Sequence, residues 1–167
     1  SIYRGSFALT SAADRANAFT EEGLMATLFE GQNRALNITF AVTGSVGKTT
    51  TKQFIFSVLE TKYPTNVTKG NFNNEIGLPL TILNLTADHE ALLLEMGMNH
   101  KGEISRLSKC LMPNLAVITN IGLSHIENLG SQKAIRNEKL HITDGFDRKS
   151  VLFINGDDPI LCRLIGF

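Results

Sequence analysis

The sequence has no excess of either charge, only two cysteines, and no apolar run that approaches the length needed to span a membrane. Sixteen Lys and Arg balance sixteen Asp and Glu. The broad basic field that holds nucleic acid or an anionic membrane is therefore missing, and any anion must be gripped locally. Cys110 and Cys162 stand far apart with no zinc-like spacing, so they read as free thiols of a reducing compartment rather than as a disulfide or metal framework. The N-terminus lacks the basic-then-apolar pattern of a signal peptide, which makes the cytoplasm the expected location. Internal repeats and low-complexity tracts are absent as well. What remains is 167 residues, 43% hydrophobic, an ordinary globular composition with length enough for one domain with a real core. The chain starts at Ser1 rather than Met and stops at Gly166-Phe167 soon after a strand-and-turn signal, and is expected to be a piece of a longer protein.

From Ile38 onward, short apolar runs alternate with segments of helical spacing. Ile38 to Val42, Ala91 to Met96, Leu115 to Thr119 and Val151 to Ile154 read as strands, with a weaker one at Asn66 to Thr68. Thr50 to Thr61, Leu78 to Leu85, Glu103 to Leu111 and Gln132 to Thr143 read as helices, the last bracketed by Ser131 as N-cap and Gly145 as stop. This alternation predicts βαβ units, hence an α/β fold with a mostly parallel sheet and helices on both faces. Residues 1–37 fit less well. Thr20-Glu21-Glu22 can cap a helix through Leu24, Met25, Leu28 and Phe29, and the whole stretch is expected to be a linker or the tail of a preceding domain.

Between the first strand and the first helix lies Thr43-Gly44-Ser45-Val46-Gly47-Lys48-Thr49-Thr50, which reads as a phosphate-binding loop. Gly44 and Gly47 allow a tight turn that aims backbone N–H groups at phosphate oxygens. Lys48 can reach the β- and γ-phosphates, and the Thr49 hydroxyl can serve Mg²⁺. The generic motif asks for glycine where Val42 stands, but the strand-loop-helix setting that the mechanism needs is present. The alternative is a glycine-rich turn with an exposed lysine and N-capping threonines.

In a parallel α/β sheet, ligands sit beyond the carboxyl ends of the strands, and the unusual residues fall there. Glu95 ends the Ala91 run, where a carboxylate can join Thr49 on a hard cation, or can simply be a solvated strand end or an ion-pair partner. His125 follows the Leu115 run in a loop containing Gly122. It is either a functional group sharing that edge or a satisfied histidine. Asn71, Asn73 and Asn74, within Gly70-Asn71-Phe72-Asn73-Asn74-Glu75-Ile76-Gly77, suit the orientation of a polar substrate or γ-phosphate and equally suit a turn that caps the next helix. Asn155, Asp157 and Asp158 follow the last strand. Lys139, by its own surroundings, is a helix lysine paired along a face.

Taken together, the loop from Thr43 to Lys52, the segment Gly70 to Thr81, Glu95-Met96-Gly97-Met98-Asn99 with Gly102-Glu103-Ile104, and Thr119-Asn120-Ile121-Gly122 with His125 resemble the central ATPase domain of the Mur ligases. The resemblance runs from about Ile38 to Asp158. Within residues 38–167 it implies an ATP-binding central domain that is incomplete at its C-terminus. It further implies an ATP- and Mg²⁺-dependent ligase of peptidoglycan synthesis, and so a part in cell shape and division. The branch it favours joins D-alanyl-D-alanine to UDP-N-acetylmuramoyl-tripeptide through an acyl-phosphate. By this resemblance Thr49 and Glu95 match magnesium ligands, and His125 a ligand of a second magnesium. Lys139 matches a carbamylated lysine serving that second metal, Lys48, His125 and Lys139 form the catalytic set, and Asn71, Asn73 and Asn74 line the acceptor side. The parent chain is then expected to carry an N-terminal domain for the UDP-sugar and a C-terminal domain that closes over ATP, and the isolated chain not to turn over. Other readings are a related ligase such as folylpolyglutamate synthase, or a phosphate-loop module that binds or hydrolyses nucleotide without ligation.

Overall fold

In a computed structural model of the chain, the residues described are 36–75 and 77–164. The helix expected over Leu24 to Phe29 and the reading of residues 1–35 lie outside them. Strand β1 (Ile38–Thr43) leads through the phosphate loop into α1 (Lys48–Leu59), followed by β2 (Thr65–Val67), α2 (Gly77–Leu83), β3 (Ala91–Glu95), α3 (Glu103–Leu111) and β4 (Leu115–Ile118). A short α4 (Ile126–Leu129), α5 (Gln132–Leu140), a 3₁₀ turn (His141–Thr143), β5 (Val151–Ile154) and a second 3₁₀ turn (Cys162–Leu164) complete them.

The five strands form one sheet in the order β2-β3-β1-β4-β5, and every pairing is parallel. From β1 the chain first steps outward to β2 and thereafter moves the other way. Right-handed crossovers therefore place α1 on one face and α2, α3 and α5 on the other. Packing follows this division. Leu78, Ile82, Ile104, Leu107, Leu111 and Ile135 cover Ala41, Leu92, Leu94, Ala116 and Ile118 in the larger core. Ile55 and Phe56 of α1 lie against the smaller one, built on Phe40, Val42 and Leu93. Because β1 and β3 are covered on both faces they read, as buried parallel strands do, as mostly apolar runs rather than as alternating ones, Thr39 being the one interior polar residue.

The elements expected from Ile38 onward are all present, most of them with shifted ends. The helix read from Thr50 starts at Lys48, so Lys48 and Thr49 occupy its first turn and not the loop before it. The helix read through Thr143 is α-helical to Leu140, where the 3₁₀ turn takes over. Ser131 caps it as expected, its hydroxyl accepting from the Ala134 N–H at 3.1 Å. Helix α4 falls in what reads as loop, being too short to show a period. Both cysteines are free, and burial pushes the Cys110 thiol up to about 12, so it is inert. Among the described residues no helix is long and apolar enough to cross a membrane.

Candidate functional site

The strand order turns back on itself at β1, and its carboxyl end, with those of β3 and β4, forms the edge where a ligand is expected. The phosphate loop leaves β1 there. Thr43 anchors its start, its hydroxyl donating to the Met96 carbonyl at 2.9 Å. Gly44 passes so close to β4 that a Cβ would occupy the place of the Thr119 hydroxyl. Gly47, at φ 82°, is the N-cap of α1 in the left-handed region. The N–H groups that open α1 have no partners four residues back, and its first turn holds no acidic side chain to neutralise the positive end of its dipole. Lys48 curls back so that its ammonium donates to the Gly44 carbonyl at 3.1 Å.

The loop is braced from β4 rather than by itself. The Asn120 side-chain oxygen accepts the N–H groups of Ser45 at 3.1 Å and Val46 at 2.9 Å. The Thr119 hydroxyl donates to the Val46 carbonyl at 2.6 Å, and the Gly122 N–H donates to the Ser45 hydroxyl at 2.8 Å. Asp158 holds the same segment from β5's side, accepting from the Ile121 N–H at 2.8 Å and from those of Ile160 and Leu161. Burial raises the Asp158 carboxyl, but these three backbone donors outweigh it and hold the group below the usual carboxylate range. Asp157, beside it, is exposed, and Asn155 accepts its N–H in a turn.

Glu95 is 2% exposed at the end of β3. One carboxylate oxygen accepts from the Thr49 hydroxyl at 2.9 Å and lies 3.2 Å from the Lys52 ammonium, while the other accepts from the Asn73 amide at 3.0 Å. Lys52 also donates to the Thr68 carbonyl at 2.8 Å, and the Thr68 hydroxyl accepts the Glu95 N–H. Of the sequence readings of Glu95, the ion-pair partner is realised and the solvated strand end is not, and the carboxylate meets Thr49, with which the metal reading joins it. The three asparagines part company. Asn73 reaches Glu95, Asn74 accepts the Gly77 N–H at 2.9 Å at the start of α2, and Asn71 is exposed. The loop carrying them is tied to α3 by Glu75, which takes the Arg106 Nε at 2.6 Å.

His125 is half-buried and is the N-cap of α4, with φ 66°. Helix α4 packs on α5, which carries Lys139. Far from being a solvated helix lysine, Lys139 is 2% exposed. Burial pushes its ammonium down to about 7, the Lys48 cation pushes the same way, and Glu138 opposes them. The Glu138 carboxylate accepts the Gly102 N–H at 2.8 Å, joining α5 to the start of α3. His89, His100 and His141 lie away from these contacts: His89 accepts the Thr86 N–H, His100 is exposed and His141 pairs with Asp144.

Among the described residues no cluster of three or more His, Cys, Asp or Glu could cage a metal. A cation at this edge must therefore share its shell with phosphate and water. The Thr49 hydroxyl and Glu95 carboxylate are hard oxygen donors, adjacent and facing the loop, and they fit magnesium, which keeps several waters and takes few protein ligands. At His125 and Lys139 the fit is poorer, since a lysine amine is no ligand for a hard cation until it is converted to an oxygen donor. The residues that sequence reasoning left without roles are Lys52, Thr68 and Asn120. Lys52 did carry a signal, since it lies four residues beyond Lys48 on the same face of α1.

Fold and site together define a phosphate-loop α/β domain with a nucleotide-type anion cradle at its strand ends. Comparison with known proteins narrows this class: residues 42–166 match the Mur ligase middle domain family, to which the chain belongs. The UDP-N-acetylmuramoyl-tripeptide–D-alanyl-D-alanine ligase of Bacillus subtilis is 53% identical over 120 residues, covering 72% of this chain and 26% of that protein. The Treponema pallidum ligase of the same name is 42% identical over the same shares. Among solved structures, MurF from Acinetobacter baumannii has a TM-score of 0.80 at 35% identity, over 86% of this chain and 31% of that one. MurF from Thermotoga maritima in complex with ADP has a TM-score of 0.79 at 34% identity, over 87% and 34%. E. coli FolC in complex with DHPP and ADP, at 21% identity and a TM-score of 0.59, shares the fold. The chain spans about a quarter of the length of the curated relatives it matches.

Proposed function

We propose that this chain is the nucleotide-handling domain of a ligase that uses ATP to join D-alanyl-D-alanine to UDP-N-acetylmuramoyl-tripeptide. The observation that carries the reading is the meeting of Thr49, Glu95 and Asn73 beside the phosphate loop, in a chain 53% identical to a ligase of that name. The terminal carboxylate of the tripeptide attacks the γ-phosphorus, ADP leaves, and an acyl-phosphate forms. The amine of D-alanyl-D-alanine then attacks the acyl carbon, phosphate departs, and the amine loses a proton.

The first step needs positioning and charge neutralisation more than covalent help from the protein. The first-turn amides of α1 bind phosphate oxygens, and Lys48, leaving the Gly44 carbonyl, follows the charge that develops on the transferring group. Thr49 and Glu95 would hold magnesium, which would supply further neutralisation of the phosphates. Asn73 keeps the Glu95 carboxylate oriented and closes the side toward the acceptor, where Asn71 and Asn74 lie. Lys139 is suited to carbamylation: burial brings its ammonium down to about 7, so near neutrality a substantial share of the amine is unprotonated and can add to CO2 with release of one proton, becoming an anionic oxygen donor on α5, against which α4 packs.

The test is phosphate release by the full-length protein with ATP and Mg²⁺, with and without the two substrates. Release that requires both is the expected result. Release indifferent to them would replace the ligase with a hydrolase.

A further inference from the structure

A lysine as buried as Lys52, 3% exposed, is costly unless its charge is matched. Its two partners are the Thr68 carbonyl and Glu95, and the second is informative. The Glu95 oxygen that Lys52 approaches is the same one that accepts from Thr49. The oxygen best placed to receive a metal therefore already has a cation beside it. The Lys52–Glu95 pair is neutral as a unit, and the next charged side chain at the loop, Lys48, is positive. A dication arriving alone meets a repulsive field, whereas a nucleoside triphosphate brings enough negative charge to reverse its sign.

We infer that Lys52 makes metal entry at Glu95 conditional on nucleotide: it holds the carboxylate oriented in the free protein, and it excludes the bare metal until phosphates arrive. Lys52 is thus a positioning residue that acts through Glu95. The inference rests on the magnesium–nucleotide reading above and adds an order of binding to it. A residue that merely supported the fold would lower metal binding when removed; removal of Lys52 raises it.

The probe is Mn²⁺, followed by electron paramagnetic resonance on the full-length protein, without nucleotide and with ADP. Wild type is expected to bind Mn²⁺ at the site only when ADP is present. Lys52→Met is expected to bind it without nucleotide at least about tenfold more tightly than wild type, and Lys52→Met combined with Glu95→Gln to lose that gain. Lys52→Gln, which keeps a donor for the Thr68 carbonyl, serves if the methionine variant does not fold, and Lys52→Arg, which keeps the cation, is expected to behave as wild type. Equal nucleotide-free binding in wild type and the neutral variants overturns the inference, as does tight nucleotide-free binding by wild type itself. Absence of Mn²⁺ binding even with ADP overturns the magnesium–nucleotide reading and the inference with it.

Discussion

Lys139 places an amine inside an α/β domain, and the energetic consequence is a pH dependence. Its folded-state pKa is about 7, against 10.5 for an ordinary lysine. Between those values the unfolded chain binds a proton that the folded chain does not, so stability rises with pH across that window. Lys139→Met removes the cost of burying the group. In CO2-free buffer the variant is expected to be more stable than wild type by on the order of a few kcal/mol at pH 7 and below, with the difference shrinking toward pH 10. Urea unfolding at several pH values checks this, and a constant difference would mean that Lys139 stays charged when folded. Under the carbamylation proposed above, Lys139→Met is also expected to abolish turnover by the full-length protein.

At the scale of elements, the phosphate loop is a shared structure of β1 and β4. Its conformation depends on Asn120, whose side-chain oxygen serves two loop amides, and on the closeness of Gly44 to Thr119. Asn120→Ala leaves the Val46 N–H without its acceptor and the Ser45 N–H with only the backbone carbonyl of residue 120. The expected cost is about 1–2 kcal/mol of stability and a loss of about tenfold in affinity for magnesium–ADP, since a loose loop must be ordered on binding. Calorimetric titration beside a thermal melt separates the two effects. Unchanged affinity with lowered stability would reduce the brace to a fold contact. The segment that carries Asn120 continues to His125 and α4, so nucleotide bound on the loop and events near Lys139 share one mechanical support.

At the scale of the whole molecule, the two faces of the sheet are unequal. The face bearing α2, α3 and α5 holds the larger core, while on the α1 face Val151 and Phe153 at the β5 edge remain exposed, with Phe153 stacked toward Phe40 at 6.4 Å between ring centroids. Among the described residues the strand-end edge is open too: Val46, on the phosphate loop, is 66% exposed. An acyl-phosphate formed there would meet water, and enzymes protect such intermediates by closing over them. The 167-residue chain is therefore expected to bind magnesium–ADP yet to release no product from ATP and the two substrates, and the full-length protein is expected to release it. Ligation by the chain alone would show that closure is dispensable.

The strands of a buried parallel sheet announce themselves as apolar runs, and a glycine-lysine-threonine loop between a strand and a helix has one efficient use. For that reason β1 with its loop, the alternation of strands and helices, and the placing of Glu95 at a strand end were all legible in the linear order of residues, whereas His125 lies beyond β4 as the N-cap of α4. Partnership across the sheet was legible for Thr49 and Glu95, which the phosphate-loop reading already joined, and not for Asn120 and Ser45. Glu95 stands 46 residues from Thr49, and Asn120 stands 75 from Ser45; only the strand order and parallel register bring them within hydrogen-bonding range. The same holds for the choice among Asn71, Asn73 and Asn74, which are alike in type and neighbours in sequence, and for the burial of Lys139, which its own helix does not reveal. Local chemistry determined which groups are available, and tertiary packing decided which of them share an oxygen, because side-chain contacts between distant segments are set by the sheet and not by spacing along the chain.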